Sequence, residues 1–304
     1  MILVSTGGNA KVVAEVTAST INCCKLVKIH DISYLVVGSS AGMQIWSGDG
    51  ETLKFFSPLS GLINEEVLVS LQDTHQPVHM KGIAVCAECH IVIGCSTGHV
   101  FVIEVPAGSN GEDMSILHTL GPMPTSSPIQ SGSNIVAIGG SDTYTVCANE
   151  YGDIHILDGT VDFRQKGRID PNTIPTGHSN SLCNGLVMSL LTRGDTIIAS
   201  YNTGHIRIFR ATLMEMAIEI TAHVRCITAL ALHPTAPLFI SCSEDQMIHL
   251  WEFPSFVSKG NSECDLIHSE KHINKMCTGV CFHGDDINIA AYDDDHILVL
   301  EKAC

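Results

Sequence analysis

The sequence predicts an all-β protein built from repeated groups of short antiparallel strands. Three observations predict this class. Short runs rich in β-branched residues recur along the chain, glycine-containing or acidic turns separate them, and no segment sustains an apolar period of 3.6 residues. The strands also follow one another too closely for the crossover helices of parallel sheets. A chain of 304 residues is long enough for one large domain of this kind.

One pattern occurs six times along the chain. In each copy a short second strand leads into a tight turn, and a third strand ends on an apolar or aromatic residue. The second strands are predicted at Tyr34–Gly38, His90–Gly94, Tyr144–Ala148, Thr196–Ser200, Leu238–Cys242 and Asp286–Ala290. The third strands end at Trp46, Ile103, Leu157, Phe209, Trp251 and Leu300. Intervals of roughly 42 to 57 residues are typical of four-stranded propeller blades, so the predicted fold is a β-propeller.

The number of blades depends on the N-terminal residues. Ile2–Ser5 and Lys11–Val16 are predicted as two extra strands, and the sixth copy stops after its third strand. Either one N-terminal strand closes a six-bladed ring, or both belong to an incomplete seventh blade. We expect seven blades in a single domain over residues 1–304. The expected repeats are 1–19 (partial), 20–57, 79–120, 130–170, 181–222, 223–270 and 272–304.

The segment Ile218–Trp251 has the most complete repeat. His223 precedes its first strand, Ser241 lies in its second strand, Asp245 lies in the next turn and Trp251 closes the third strand. This order resembles the WD40 repeat family, in which these four places form a structural hydrogen-bonded tetrad. Buried polar groups must be paired, so such a tetrad would fix the register of a blade. A hydrolase triad also uses Ser, His and Asp, but the Trp in the fourth place favours a scaffold over an enzyme.

The order of residues from about Ile21 to His296 resembles the WD repeat-containing protein 54 family. The resemblance implies a seven-bladed, intracellular, non-enzymatic protein that binds other proteins. At the place of Asp245, other repeats instead show Thr97, Tyr151 and Thr203, which departs from the standard repeat. The matching stretches are Gly42–Trp46, Lys81–Ala84, Gly98–Ala107, Ile218–His223 and Glu244–Asp245.

Composition restricts the possible partners and the cellular setting. The formal net charge is −16 and no basic stripe is present, so nucleic acids and anionic membranes are unfavourable partners. No apolar run approaches the roughly 20 residues of a membrane span, and the first residues lack the basic start and long apolar core that are typical of a signal peptide. Thirteen cysteines, mostly single in apolar strands, indicate reduced thiols in a cytosolic protein.

The motif Cys86-Ala87-Glu88-Cys89-His90 matches the attachment sequence of a c-type haem. However, it lies where a first strand turns into a second, and no second axial ligand stands out. Zinc would need further ligands, and nearby Cys95 belongs to the adjacent strand. We therefore interpret the motif as a hairpin turn flanked by small thiols, and we expect no cofactor.

Two further groups of residues have metal-binding side chains. His99, His205 and His296 each follow a tight turn, but they lie in alternate repeats, too far apart to share a zinc ion. Asp293-Asp294-Asp295 lacks the glycine and distal glutamate of a calcium loop, so it is predicted to be an acidic turn. We expect no metal site.

The sequence therefore predicts an intracellular interaction scaffold or adaptor, without catalytic residues, whose partners contain basic segments. The alternative is a structural subunit of a large assembly, such as the ciliary axoneme or its transport machinery. The expected location is the cytoplasm, with the cilium or cytoskeleton as a second setting. The oligomeric state stays open. The expected binding face consists of turns at Ser40, Thr97, Tyr151, Thr203, Asp245 and Asp294.

Overall fold

A computed structural model gives the structure of the protein, and most of the chain is described in it. Contacts divide the chain into two compact units, one formed by residues 1–149 and 155–166 and the other by residues 150–154 and 167–304. The described residues are 2–4, 10–12, 20–64, 78–108, 111, 113–125, 134–160, 162–171, 185–256, 262–272, 274–292 and 294–301.

The first unit contains a two-stranded pair and two complete four-stranded sheets, each antiparallel. The pair consists of β1 (Ile2–Val4) and β2 (Ala10–Val12). The first sheet consists of β3 (Ile21–Ile29), β4 (Ile32–Ser39), β5 (Gly42–Ser47) and β6 (Leu53–Pro58), which is followed by the helical turn α1 (Leu59–Leu62). The second sheet consists of β7 (Met80–Cys86), β8 (His90–Cys95), β9 (Val100–Glu104) and β10 (Ser115–Leu120).

The third sheet has the same strand order as the first two. The division between the two units passes through this sheet. Its strands are β11 (Ile135–Gly140), β12 (Tyr144–Asn149), β13 (Ile154–Asp158) and β14 (Gln165–Ile169).

The second unit contains two more four-stranded sheets, a three-stranded sheet and a short hairpin. The fourth sheet consists of β15 (Val187–Arg193), β16 (Thr196–Tyr201), β17 (His205–Arg210) and β18 (Glu215–Thr221). The fifth consists of β19 (Ile227–Leu232), β20 (Leu238–Ser243), β21 (Met247–Glu252) and β24 (Leu266–Lys271), with the hairpin β22 (Ser255–Phe256) and β23 (Ser262–Glu263) between the last two. The sixth consists of β25 (Cys277–His283), β26 (Asp286–Ala291) and β27 (Leu298–Leu300).

The core lies on the central strands of each sheet. All six residues of β12 and of β16 are buried, including polar ones. The fourth strands are more exposed, as in β10, where exposed and partly buried residues alternate. Within each unit the first strands of neighbouring sheets pack side by side. This arrangement brings the turns of neighbouring sheets together.

The prediction of seven blades is wrong, because the described residues form six blades. The residues assigned to an incomplete first blade, 1–19, contribute only β1 and β2 among the described residues, and these two strands pair with each other. Each has three residues, which is too short to supply a blade of its own. The rest of the predicted Lys11–Val16 strand, beyond Val12, lies outside the described residues, as do large parts of the predicted loops Gly121–Gln130 and Asp170–Cys183.

In the described part of the chain, no helix is long and apolar enough to cross a bilayer.

Candidate functional site

The structure brings together the four residues of the expected tetrad in the fifth sheet. The Nδ1 atom of His223 lies 3.1 Å from Asp245 Oδ2, and its Nε2 atom lies 2.8 Å from Ser241 Oγ. The indole N–H of Trp251 donates to the same hydroxyl at 2.9 Å. With Nδ1–H donating to the carboxylate, Nε2 accepts the hydroxyl proton of Ser241, so each polar group is paired. This series of hydrogen bonds joins the loop before β19 to β20 and β21.

Asp245 also holds the backbone around the turn in which it lies. Its carboxylate accepts hydrogen bonds from the N–H of Val224 at 3.0 Å and from the N–H of Met247 at 2.9 Å. Burial by itself raises the pKa of Asp245, but these two N–H groups and His223 lower it overall. Asp245 is therefore a carboxylate that fixes a turn and the neighbouring loop to each other.

His223 is held in its neutral form. Burial lowers the pKa of His223 to about 4, and the neighbouring His249 contributes to the lowering while Asp245 opposes it. The two imidazole rings stack, with centroids 4.3 Å apart and planes 12° apart. Because His223 is neutral, its Nε2 atom can accept the hydrogen bond from Ser241. A histidine with so low a pKa binds protons too weakly to act as a general base near neutral pH.

His249 is a member of this cluster that the order of residues within the repeat does not predict. It lies on β21 opposite Ser241, is buried, and has its ring edge on Trp251 with centroids 5.5 Å apart. In the fourth sheet the corresponding place opposite Ala199 is occupied by Arg207. In the sequence, His249 and Arg207 are marked only by being polar residues inside the otherwise apolar runs of their third strands.

Arg207 forms a second buried polar cluster, within the fourth sheet. Its Nε atom donates to Glu219 Oε2 at 2.7 Å, and its guanidinium lies over the ring of Tyr201 at 4.5 Å from the centroid. The side chain of Arg207 is only 2% exposed. Thr203 stands where the fifth sheet has Asp245, and in this sheet an ion pair between Arg207 and Glu219 links β17 to β18.

Each of the six expected binding residues lies in or beside the turn that joins the second and third strands of its sheet. In three sheets the turn residue contacts the histidine two positions later. Thr97 Oγ1 lies 2.8 Å from His99 Nδ1, Thr203 Oγ1 lies 3.0 Å from His205 Nδ1, and Asp294 Oδ1 lies 3.4 Å from His296 Nδ1. These contacts hold each histidine beside its own turn. The six turn residues are Ser40, Thr97, Tyr151, Thr203, Asp245 and Asp294.

The Cys86–His90 motif forms a hairpin turn between β7 and β8. Ala87 and Glu88 both have φ of 53°, and Cys86 is the cross-strand partner of His90. The thiol of Cys86 is buried against Gly159, whereas Cys89 Sγ lies 3.2 Å from His90 Nδ1. Burial raises the pKa of both thiols, so neither is an activated thiolate.

The acidic turn before β27 has its own ion pairs. Asp294 Oδ2 lies 2.7 Å from Lys275 Nζ, and Asp295 Oδ1 lies 2.6 Å from His296 Nδ1. A hydrogen bond from Lys275 and one from the N–H of His296 lower the pKa of Asp294 to about 2. Asp294, Asp295 and His296 have ligand atoms close together, but these side chains are already engaged with one another and with Lys275. Asp293 lies outside the described residues.

Repeated antiparallel sheets with a His–Ser–Asp–Trp set define the class of WD-repeat β-propellers. Among solved structures, the β-propeller domain of Cps50 (Swd1) from Myceliophteria thermophila has a TM-score of 0.68, covering 93% of this chain and 86% of that chain at 11% identity. A chain of the mitotic checkpoint complex, 15% identical, has a TM-score of 0.62 with coverages of 95% and 80%. These two similarities show the fold alone.

The family follows from the sequence comparison. The profile of the WDR54 family matches residues 3–300, so this chain belongs to the WDR54 family. WD repeat-containing protein 54 of Mus musculus is 26% identical over 269 residues, covering 87% of this chain and 73% of the mouse protein. The Homo sapiens protein is 26% identical over 271 residues, with coverages of 85% and 72%. The predicted resemblance is therefore confirmed.

Proposed function

We propose that this chain is a non-catalytic intracellular scaffold that binds other proteins through the turns between the second and third strands. The observation that supports this most directly is the double role of Asp245. Its carboxylate fixes both the turn that contains it and the backbone of Val224 in the neighbouring loop. Loops held rigid in this way lose little conformational entropy when a partner binds.

The absence of an activated group at the described turns also favours binding over catalysis. His223 is neutral, and its two ring nitrogens are hydrogen-bonded to Asp245 and Ser241. The Cys86 and Cys89 thiols have raised pKa values, so neither is a ready nucleophile. These residues support the fold, and the surface of the turns is left for contact with partners.

The charge of the chain favours partners with basic segments. The formal net charge of −16 attracts Lys- and Arg-rich segments over a distance of about a Debye length, roughly 8 Å at physiological ionic strength. Complementary charge mainly accelerates association and selects among partners. We therefore propose partners with basic segments and binding that weakens as salt is added.

Capture of partners by the tagged full chain tests this proposal. The test variant is Thr97→Arg with Thr203→Arg, in two turns between second and third strands. Its control is Glu88→Arg with His283→Arg. These two exposed residues lie in or directly before the turns between first and second strands, at the opposite ends of their own sheets. Quantitative mass spectrometry should show partners on the wild type and the control, and loss of at least ten-fold on the test variant. Equal retention by both variants would exclude these turns as the binding face.

The same capture separates a free adaptor from an assembly subunit. Cell extract is divided into a soluble fraction and a salt-resistant cytoskeletal fraction before capture. An adaptor is recovered from the soluble fraction with substoichiometric partners. Recovery with cytoskeletal proteins at fixed stoichiometry from the salt-resistant fraction would instead assign the chain to a permanent assembly. The scaffold proposal would be overturned if neither fraction contained a protein captured above the level of an unrelated bait.

A further inference from the structure

The turn between β7 and β8 holds two metal-binding side chains next to each other. Cys89 Sγ lies 3.2 Å from His90 Nδ1, and both residues are partly buried. A tetrahedral zinc ion binds sulfur at about 2.3 Å and nitrogen at about 2.0 Å, so two such ligand atoms lie roughly 3.5 Å apart. Cys86 is buried against Gly159 instead. The turn therefore supplies one thiol and one imidazole at the spacing of a zinc site, and further ligands must come from elsewhere in the fold.

The neighbouring strand supplies a carboxylate. Glu104, the last residue of β9, is the cross-strand partner of His90, so the two side chains lie on the same face of the second sheet. The N–H of Val105 donates to Cys89 O at 2.8 Å, which holds the end of β9 against the turn. Burial raises the pKa of the Cys89 thiol, and the charge of Glu104 raises it further. Burial lowers the pKa of His90, and the charge of Glu104 opposes that change. Glu104 therefore acts on both side chains of the turn.

The carboxylate of Glu104 is available to a metal ion. Among the described residues it has neither a hydrogen-bond donor nor a cation as a partner, although the residue is partly buried. The ring of Phe163 packs on His90 with centroids 5.2 Å apart, and Arg164, the residue after Phe163, is paired with Asp162. A partly buried carboxylate without a partner has lost solvation that a bound cation can replace.

The site is completed when Glu104 turns toward the thiol and the imidazole. In the described part of the chain, three such ligand atoms already lie within 4.8 Å of one another only in the turn at residues 294–296. The Glu104 side chain rotates about its own single bonds, and turning its carboxylate breaks no hydrogen bond or ion pair. His118, whose ring lies 5.9 Å from that of Phe163, is on β10, one strand beyond Glu104, and is not part of the set.

We propose that Cys89, His90 and Glu104 bind a zinc ion, with water as the fourth ligand. Sulfur, imidazole nitrogen and carboxylate oxygen are all zinc ligands, whereas calcium and magnesium bind oxygen ligands. Zinc replaces the proton of the Cys89 thiol, which is released to solvent, while His90 and the carboxylate each donate an electron pair. The ion would tie the turn between β7 and β8 to the end of β9. This inference goes beyond the proposed scaffold function and does not depend on it.

Titration of the full chain with metal ions tests the proposal directly. The chain is freed of metal with a chelator, kept reduced and titrated with Zn²⁺ in a calorimeter, and with Co²⁺ as a spectroscopic probe. We expect zinc binding with release of about one proton per ion, and a near-ultraviolet charge-transfer band from sulfur to cobalt. Cobalt bound without this band would exclude a thiolate ligand and overturn the proposal, as would the absence of zinc binding.

Matched substitutions locate the metal on the molecule. The test variants remove one ligand each, and the matched variants make the same changes at exposed residues. Loss of a residue behind a metal ligand already costs about 10–100-fold in affinity, so loss of a ligand should weaken zinc binding at least ten-fold. The matched variants should lose less than two-fold. The test variants are Cys89→Ser, His90→Asn and Glu104→Gln, and their matched variants are Cys24→Ser, His268→Asn and Glu252→Gln.

The acidic turn before β27 is the competing location, because its ligand atoms lie close together. Asp295→Asn with His296→Asn removes two of its three ligands. This variant should bind zinc within two-fold of the wild type and keep the cobalt band. Zinc binding lost by this variant and kept by Cys89→Ser would place the ion at the acidic turn and overturn the proposal.

Thermal melting followed by circular dichroism separates loss of the metal from loss of the fold. A ligand that binds only the folded chain raises Tm, so zinc should raise the Tm of the wild type. Glu104→Gln keeps the size of the side chain and should melt like the metal-free wild type, but its Tm should not respond to zinc. If zinc raises the Tm of Glu104→Gln as much as that of the wild type, Glu104 is not a ligand and the proposed site is wrong.

Discussion

The indole N–H of Trp251 donates a hydrogen bond of 2.9 Å to the hydroxyl of Ser241. This bond crosses from β21 to β20, and the same hydroxyl also contacts His223 Nε2 at 2.8 Å. Ser241 is fully buried, so its hydroxyl has no water to replace a lost partner. The bond between Trp251 and Ser241 thus connects two strands to the loop before β19, and its contribution to stability is measurable.

Ser241→Ala is predicted to lower the free energy of unfolding by about 1–3 kcal/mol, because it leaves the buried indole N–H and His223 without their shared partner. Asp245→Ala is expected to cost a similar amount, since it releases His223 and the N–H groups of Val224 and Met247. Chemical denaturation followed by circular dichroism measures both values. Wild-type stability in either variant would contradict a structural role for the tetrad.

Ser200→Ala is the control for this experiment. Ser200 is also fully buried on a second strand, but its hydroxyl has no hydrogen-bond partner in the described structure. Removing it takes away no bond and deletes an unpaired polar atom, so the change in stability should stay within about 0.5 kcal/mol. The difference between the two serine variants measures the hydrogen bonds of Ser241 separately from the loss of a buried oxygen.

Stability is predicted to fall as the pH is lowered from about 6.5 toward 4. Burial lowers the pKa of His223 in the folded protein to about 4, whereas an unfolded histidine titrates near 6.5. Between these values the unfolded chain binds a proton that folded His223 does not bind, so acid favours unfolding. The loss should be on the order of 1–3 kcal/mol. Denaturation curves at pH values of about 7.0, 6.0, 5.0 and 4.5, which span this window, measure the loss of stability.

His223→Gln removes the titrating group, so its stability should be lower at neutral pH but should vary less over the same window. The matched variant is His268→Gln, whose histidine side chain is 54% exposed in the wild type. That variant should retain the pH dependence of the wild type. If His223→Gln is as sensitive to acid as the wild type, the pH dependence arises from other groups.

The fold class could be predicted because turns and strand lengths are local properties. The predicted second strand His90–Gly94 lies within β8, and Thr196–Ser200 lies within β16. The blade number could not be predicted in the same way. Residues 2–4 and 10–12 have a strand pattern, but a strand pattern does not specify which strand it pairs with. The structure pairs β1 with β2, and the count of blades is therefore six.

The candidate site was only partly predictable for a related reason. His223, Ser241, Asp245 and Trp251 follow a recognisable order within one repeat, so the sequence indicates them together. Arg207 belongs to no such order, and its partner Glu219 lies on the next strand, twelve positions later. A cation within a β-strand normally indicates a solvent-facing side chain, and only tertiary packing shows that this one is buried.

Gly204 is predicted to tolerate no side chain. It has φ of +83°, and a Cβ atom there would lie 2.1 Å from the carbonyl oxygen of His223. Its own carbonyl accepts the N–H of His223 at 2.9 Å, so the loop cannot move away without losing this bond. Gly204→Ala should cost at least about 2 kcal/mol, from the unfavourable φ and the clash together.

Gly194→Ala separates these two causes. Gly194 has φ of +57°, but a Cβ atom there meets nothing within 4 Å. This variant reports the conformational penalty alone, about 1 kcal/mol. Thermal and chemical denaturation of both variants give the difference. Equal costs at the two positions would show that the loop at His223 moves to accommodate the methyl group.

The Arg207–Glu219 pair is predicted to be strongly coupled. The guanidinium is buried over Tyr201, so Glu219→Ala leaves a buried cation without its carboxylate and should cost about 2–4 kcal/mol. Arg207→Met with Glu219→Leu removes both charges and keeps most of the volume, so it should recover at least half of that loss. A double-mutant cycle measured by denaturation gives the coupling. If the two residues interact directly, the effects of Arg207→Met and Glu219→Leu on the free energy of unfolding should not add. Additive effects would therefore contradict the ion pair as the buried link between β17 and β18.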